Sequence, residues 1–253
     1  MASERIAVVT GATSGIGRAI ALELLEGGAR VVATGRSEGA LKDLAAMAEG
    51  GSGELLTLIG DVRETHLMDE LFDTARRAWG REPDLVVAAA GHGLPGTLLD
   101  SDDAGWAGLV EVNYLAALRH LRTAGRRMRA EAQQGRNQQA RDIVVLGSTA
   151  GRQVSAANPV YGSTKFALHG AVEGLRQELC AHGVRVTLIE PGFVKTGFQE
   201  RAGYDPVWFA QVEADNGPLL TGADIARTVA FAVGQPAHVH LDDIRIRPTR
   251  QRA

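Results

Sequence analysis

Short runs of β-branched and aliphatic residues alternate along this chain with longer amphipathic stretches, and no other feature constrains the fold as much. The runs are Ile6–Thr10, Arg30–Thr34, Leu55–Ile59, Leu85–Ala89, Ile143–Leu146 and Val184–Ile189. Most are nearly continuous apolar segments without polar alternation, as in strands covered on both faces. Between them lie helix-like stretches at Ile16–Glu26, Glu38–Ala48, Glu64–Ala78, Trp106–Arg129 and Pro159–His182. Strand–helix alternation of this kind predicts right-handed crossovers and an α/β fold, a doubly wound parallel sheet in three α/β/α layers. The segment His240–Pro248 alternates only in its second half and is expected to add an edge strand.

At 253 residues the chain fits one large domain spanning residues 1–253, since α/β folds of ~250 residues often stay undivided. No linker composition and no solenoid-period repeat interrupts it. Two stretches depart from the pattern. Glu131–Arg141 is polar and rich in Gln and Arg, and is expected as a surface loop. Residues 195–220 mix aromatics, glycines and acids without periodicity, which suits a mobile lid over a site. The formal net charge of −3 argues against a nucleic-acid or membrane-surface binder, whose footprint is usually basic. Cys180 is the only cysteine, so no intrachain disulfide can form and a reducing compartment is expected. No apolar run reaches the ~20 residues of a membrane helix, and Ile6–Val9 is too short for a signal peptide. The expectation is a cytoplasmic chain with no membrane and no nucleic-acid partner.

The first run passes directly into Thr10-Gly-Ala-Thr-Ser-Gly-Ile-Gly17. Gly11 permits a tight turn, while Gly15 and Gly17 let the backbone approach a pyrophosphate and the helix pack on the sheet. The helix start, with Thr13, Ser14 and Ile16 around it, presents free N–H groups to phosphates. A ligand-free βα turn is the plain alternative, and the strand-to-helix context weighs against it. The second run ends Ala33-Thr34-Gly35-Arg36. Gly35 stands where an NAD-preferring chain often has an acid on the ribose 2′-hydroxyl, and Arg36 offers a guanidinium fork to a 2′-phosphate. NADP is therefore the expected cofactor. Arg36 as a merely solvated cation would leave NAD as the alternative.

Tyr161-Gly-Ser-Thr-Lys165 places a phenol and an ammonium on one face of a helix. An unperturbed tyrosine titrates near pH 10, too high for a base at neutrality. A neighbouring cation favours the phenolate, so Lys165, with the positive ring of a bound, oxidised nicotinamide as a second charge, is expected to bring the Tyr161 pKa toward the working pH. With three Tyr and three Lys in the chain, this spacing arises about 0.04 times by chance. Ser148, thirteen residues earlier at the end of the fifth run, makes accident rarer still.

These motifs together resemble the short-chain dehydrogenase/reductase family over essentially the whole chain, which implies a Rossmann-like fold. Thr10-Gly-x-x-x-Gly-x-Gly17 is similar to the family's cofactor turn, and Asp61-Val62 to its adenine-contacting pair. Asn113 takes the place of the family's helix asparagine, Ser148 of its serine, and Tyr161 and Lys165 of its catalytic pair. Pro191, Gly192, Val194 and Thr196 resemble the segment that grips the nicotinamide carboxamide. The resemblance implies that Tyr161 exchanges the proton with a carbonyl or alcohol oxygen and that Ser148 hydrogen-bonds it. It implies that Lys165 holds the nicotinamide ribose, and that Asn113 holds a water linking Lys165 to solvent. It also implies a homo-oligomer, dimer or tetramer, built on the two long helices. The ending Ile246-Arg-Pro-Thr249 is similar to a cytosolic NADP-using subset acting on small hydroxy acids and related alcohols. Two departures stand out. The family's amide-bearing segment after the fourth strand is here Ala88-Ala-Ala-Gly91, where Gly91 still allows close backbone approach. The Asn113–Ser148 interval is also long, through the polar Glu131–Arg141 stretch.

Other features point elsewhere only weakly. Arg119, Arg122, Arg126, Arg127 and Arg129 fit a solvated helix end complementing the macrodipole better than a nucleic-acid patch. His238 and His240 lack a third ligand at zinc-site spacing, so no metal is expected and an exposed strand edge is the simpler reading. Phe198, Tyr204, Trp208 and Phe209 either line an apolar pocket or cover the sheet. Against the oxidoreductase stand a non-catalytic dinucleotide sensor and a lyase or isomerase on the same scaffold. The intact Ser148, Tyr161 and Lys165 oppose the first, and the intact Gly11, Gly15 and Gly17 the second.

Overall fold

In the computed structural model, which describes residues 5–134, 140–153 and 155–252, seven strands form one sheet. They are β1 (Ile6–Thr10), β2 (Arg30–Gly35), β3 (Glu54–Ile59), β4 (Leu85–Ala88), β5 (Arg141–Leu146), β6 (Val184–Pro191) and β7 (Asp243–Ile246). All six pairings are parallel, in the order β3-β2-β1-β4-β5-β6-β7. The strand order reverses between β1 and β4, and a crevice opens outside the carboxyl ends of the strands there.

The helices are α1 (Gly15–Glu26), α2 (Glu38–Ala48), α3 (Leu67–Trp79), α4 (Trp106–Val110), α5 (Ala117–Gln133), α6 (Pro159–Leu179), α7 (Phe198–Arg201), α8 (Pro206–Asn216) and α9 (Gly222–Val233). Successive strand residues point to opposite faces, so each run feeds two cores. Ala7 and Val9 share one with Ile20 and Leu24 of α1 and with Ile225 and Val229 of α9. Ile6 and Val8 share the other with Leu71 and Phe72 of α3, Leu121 of α5 and Val172 of α6. The fold is the doubly wound, three-layer Rossmann-like arrangement that the alternation predicts.

Several local expectations change. β3 is an edge strand and is not covered throughout: Ile59 is 55% exposed. The stretch expected as one helix over Trp106–Arg129 is α4, then a π-helical turn at Glu111–Ala116, then α5, which runs on to Gln133. The expected loop Glu131–Arg141 is helical at its start and ends in β5, where Arg141 is buried. Its residues 135–139 lie outside the described residues. The stretch 195–220, aperiodic in sequence, holds α7 and α8, and a parallel bridge joins Val194, just before it, to Leu220 at its end. The Lys195 N–H donates to the Leu220 carbonyl at 2.7 Å. Arg127 is no solvated cation: it pairs with Asp69, Asp73 and Glu82 and lies over the Phe72 ring. His240 precedes β7 and seats its Nε2 on the Val186 backbone.

Beneath the sheet's amino ends lies a buried ionic knot. The Asp142 carboxylate takes bonds from the Arg185 Nε at 2.6 Å and Nη2 at 2.9 Å, and from Arg5 at 2.7 Å. Both Asp142 and Arg185 are almost fully enclosed, with side chains 3% and 5% exposed. Removing one partner of such a pair strands the other charge, at about 3–5 kcal/mol. Asp142→Ala should therefore lower the thermal midpoint by roughly 10 °C, measured by calorimetry. An unchanged midpoint would show that the knot adds nothing to stability.

Candidate active site

The glycine turn caps β1 at the floor of the crevice. Gly11 has φ +66°, and a Cβ there would lie 2.9 Å from the backbone of Ala90 on the neighbouring loop. At Gly17 a Cβ would come within 2.4 Å of the Gly11 carbonyl oxygen. Together they let α1 start directly against the turn. Its N-cap, Ser14, is extended and makes no side-chain capping bond, whereas Ser37 and Thr221 cap α2 and α9. The first N–H groups of α1 are thus left for an anion, with the positive end of the helix dipole behind them.

Around this floor opens a cleft of about 1020 Å³. Its wall contains Gly11, Thr13, Ser14, Gly15, Ile16, Gly17, Gly35, Arg36, Asp61, Val62 and Gly91. It also contains Ser148, Tyr161, Lys165, Pro191, Gly192, Val194 and Thr196. Two residues singled out from sequence do not face it. Ala88 packs into the core beneath β4, and the wall there is Ala89 and Ala90. The Ala89 N–H donates to the Thr10 hydroxyl at 3.2 Å, so a threonine anchors this loop. Asn113 lies behind the wall on the π-helical turn, 1% exposed. Its carboxamide clips both the N–H (3.0 Å) and the carbonyl (2.8 Å) of His92, so it holds the loop after Gly91.

At the β2 end, Gly35 is required by packing as well as by charge. A Cβ there would sit 2.3 Å from the Thr13 methyl, and the β-branched threonine has little freedom to turn away. Arg36 makes no ion pair among the described residues. Facing it, Arg63 holds Asp61 through bonds of 3.0 and 2.6 Å, and that bonding keeps the Asp61 carboxyl at about 2. Two guanidinium groups and one neutralised carboxylate therefore border this end of the cleft. Sequence reasoning missed Arg63, although its place two residues beyond Asp61 was a usable signal.

At the other end, α6 carries Tyr161 and Lys165 one turn apart and faces Ser148 at the tip of β5. Ser148 lies close enough to the Tyr161 phenol to lower its pKa, and the Ser148 hydroxyl accepts the Ala150 N–H at 3.1 Å. The Lys165 Nζ donates to the Leu146 carbonyl at 2.9 Å and lies 5.9 Å from the centre of the Tyr161 ring. Lys165 is not among the groups that lower the Tyr161 pKa. Burial pushes the phenol above its ordinary value, against the lowering effect of Ser148. The same burial lowers Lys165 to about 8. Enclosure disfavours the charged form of each group, and here it outweighs their proximity.

Of the aromatic cluster, Phe198, Tyr204 and Trp208 line the cleft, joined by Phe193. Phe198 meets Tyr161 edge-on at 6.0 Å, Tyr204 stacks on Trp208 at 5.5 Å, and Phe209 backs Trp208 from outside. Gln153, Asn158 and Gln251 add polar groups that sequence reasoning did not single out. Asn158 donates to the Tyr204 hydroxyl, and the Gln251 Oε1 accepts the Phe193 N–H at 2.9 Å. Gln251 reaches the wall from far along the chain, which spacing could not foretell. Among the described residues no group of three or more His, Cys, Asp or Glu could hold a metal, and no helix is long and apolar enough to cross a membrane.

Comparison with known proteins agrees with this geometry. A family model for short chain dehydrogenases matches residues 5–206. An uncharacterised oxidoreductase of Staphylococcus aureus strain MW2 is 33% identical over 97% of this chain and 98% of its own length. The closed form of a serine dehydrogenase complexed with NADP+ superposes with a TM-score of 0.85 at 28% identity, covering 98% of this chain and 96% of that one. A metagenomic short-chain oxidoreductase in complex with NADP gives a TM-score of 0.77 at 29% identity, with 97% of each chain covered.

Proposed function

The chain belongs to the short-chain dehydrogenase family and is an oxidoreductase, and from that premise we propose that it transfers hydride between NADP(H) and a ketone or aldehyde and its alcohol. The observation that carries this reading is the Ser148–Tyr161–Lys165 cluster, set in the same cleft wall as the uncapped start of α1. The cofactor, when bound, supplies the hydride chemistry and, oxidised, a positively charged ring. The residues present fit it. The α1 amides and the Gly11–Gly17 turn would take the pyrophosphate, and Arg36 and Arg63 the 2′-phosphate. Lys165 would take the ribose hydroxyls, and Pro191 to Thr196 the carboxamide. The NADP complexes of two similar structures favour the phosphorylated cofactor.

In reduction, Tyr161 gives its proton to the substrate oxygen while Ser148 donates a hydrogen bond to that oxygen. A buried, protonated phenol is already in the state this direction needs. In oxidation Tyr161 must first lose the proton, with the Lys165 charge nearby to stabilise the phenolate. Residues 195–220 act as the lid, and the Phe193, Phe198, Tyr204 and Trp208 rings form the apolar wall of the substrate pocket. Exposed Val110 at the end of α4, Leu115 on the π-helical turn and Phe166 on α6 fit burial in a homo-oligomer.

The test is nicotinamide absorbance on mixing the protein and NADPH or NADH with ketones, aldehydes, hydroxy acids and steroids. Turnover of at least one carbonyl class is expected, with kcat/KM favouring NADPH by about tenfold or more, the worth of one charge-assisted contact. Tight cofactor binding with no oxidation across the panel would point to a sensor instead. Product without net change in cofactor would point to a lyase or isomerase.

A further inference from the structure

We propose that His169 is a positioning residue for Ser148: its ring, neutral with the proton on Nδ1, accepts the Ser148 backbone N–H at Nε2 and so fixes the hydroxyl that faces Tyr161. This rests on the reading of Ser148 and Tyr161 just given. The last sheet bond of this strand end runs from the Gly147 N–H to the Ile189 carbonyl at 2.8 Å. The next donor, the N–H of Ser148, has no strand to meet and goes to the His169 Nε2 at 3.3 Å. Ser148 is thereby held on two sides, its N–H by His169 and its Oγ by the Ala150 N–H.

His169 follows Lys165 by one helical turn, so Tyr161, Lys165 and His169 line one face of α6. The ring is 8% exposed. It fits only because glycines stand on both sides of it. A Cβ at Gly147 would lie 2.5 Å from Nε2, and one at Gly151 2.4 Å from Cε1. Nδ1 meets no hydrogen-bond partner among the described residues. A buried unsatisfied N–H is costly, a penalty that an apolar side chain in the same space would avoid. Packing alone therefore does not account for an imidazole here, whereas an acceptor aimed at Ser148 does.

The ring must stay neutral, because imidazolium has no acceptor. Lys165 on its own helix and Arg152 beyond Ser148 oppose protonation, while Glu190 on β6 and Asp243 on β7 favour it. Glu190 is itself bound by Arg152 and Arg245. Burial is the largest influence and holds the ring at about 4.

The experiment compares His169→Phe, which keeps an aromatic ring, somewhat larger, and loses the acceptor, with His169→Gln, whose Oε1 reaches the Nε2 position. His169→Phe should lower kcat about ten- to a hundredfold, as for a misplacement of ~1 Å near the reacting atoms, with NADP affinity little changed. His169→Gln should recover most of that loss. Nitrogen NMR of the wild-type ring, which needs no turnover, should show Nδ1 protonated and Nε2 an acceptor from about pH 5.5 to 8. Three results would overturn the proposal: full kcat in His169→Phe, failure of Gln to rescue a folded Phe variant's loss, or a proton on Nε2. Tyr161→Phe, assayed in parallel, separates the two readings. Its loss of turnover beside a fully active His169→Phe sinks this proposal alone, whereas normal turnover in Tyr161→Phe removes the underlying reading as well.

Discussion

Tyr161→Phe should bind NADP as the wild type does and turn over about a thousandfold more slowly. The substitution removes one oxygen from a ring that is 9% exposed and leaves its edge contact with Phe198 in place. Structure and cofactor affinity should therefore hardly change. What is lost is, among the described residues, the only hydroxyl that both faces the cleft and sits on the Lys165 helix near Ser148. General acid–base catalysis of this kind is typically worth 10²–10⁴ in rate. The measurements are single-turnover kinetics for the hydride step and cofactor titration by fluorescence. Near-normal turnover would remove Tyr161 from the chemistry.

The pH dependence supplies a second readout on the same residue. Burial raises the Tyr161 pKa, so the phenol is protonated at neutrality. Reduction, which consumes that proton, should run flat through neutral pH and fall only in alkali. Oxidation needs the phenolate and should rise with pH over the same range. Both limbs should vanish in Tyr161→Phe.

The sheet and the candidate site were legible in the sequence for different reasons. Strands buried on both faces must be apolar throughout, so β1, β2, β4, β5 and β6 were visible as runs to within one or two residues at each end. Edge strands escape that requirement: β3 was still found to within one residue, whereas its exposure and the bounds of β7 read less clearly. The turn Gly11–Gly17 was legible because backbone crowding permits only glycine at its key points. Tyr161, Lys165 and Ser148 were legible through fixed spacing on one helix and one strand end. The direction of the Tyr161 shift was not, because spacing reports proximity to a cation and says nothing of enclosure. His169 was invisible for a related reason: a histidine on a helix acquires meaning only when Gly147 and Gly151 are seen to vacate space for it. The local partners of Asn113 were not legible either, since spacing does not show that its carboxamide bonds the His92 backbone.

Cofactor choice is where charge and packing must be told apart. The simplest swap, Gly35→Asp, would confound them, because its Cβ collides with the Thr13 methyl in the phosphate turn. Arg36 and Arg63 offer a cleaner test. Arg36→Leu should remove a charge-assisted contact worth about 1.5–3 kcal/mol, reducing the NADP preference ten- to about a hundredfold. Arg63→Leu acts differently, since Arg63 is what neutralises Asp61. Without it the carboxylate stands bare beside the proposed phosphate site and repels the phosphorylated cofactor, while NAD carries no charge there to repel. The double variant should favour NAD, with the ratio of kcat/KM values shifted at least a hundredfold from wild type and kcat on NAD preserved. The charges interact, so the two effects should not simply add. Raised salt should narrow the wild-type preference and leave the double variant nearly unmoved. A double variant that still prefers NADP would place the 2′-phosphate elsewhere in the cleft.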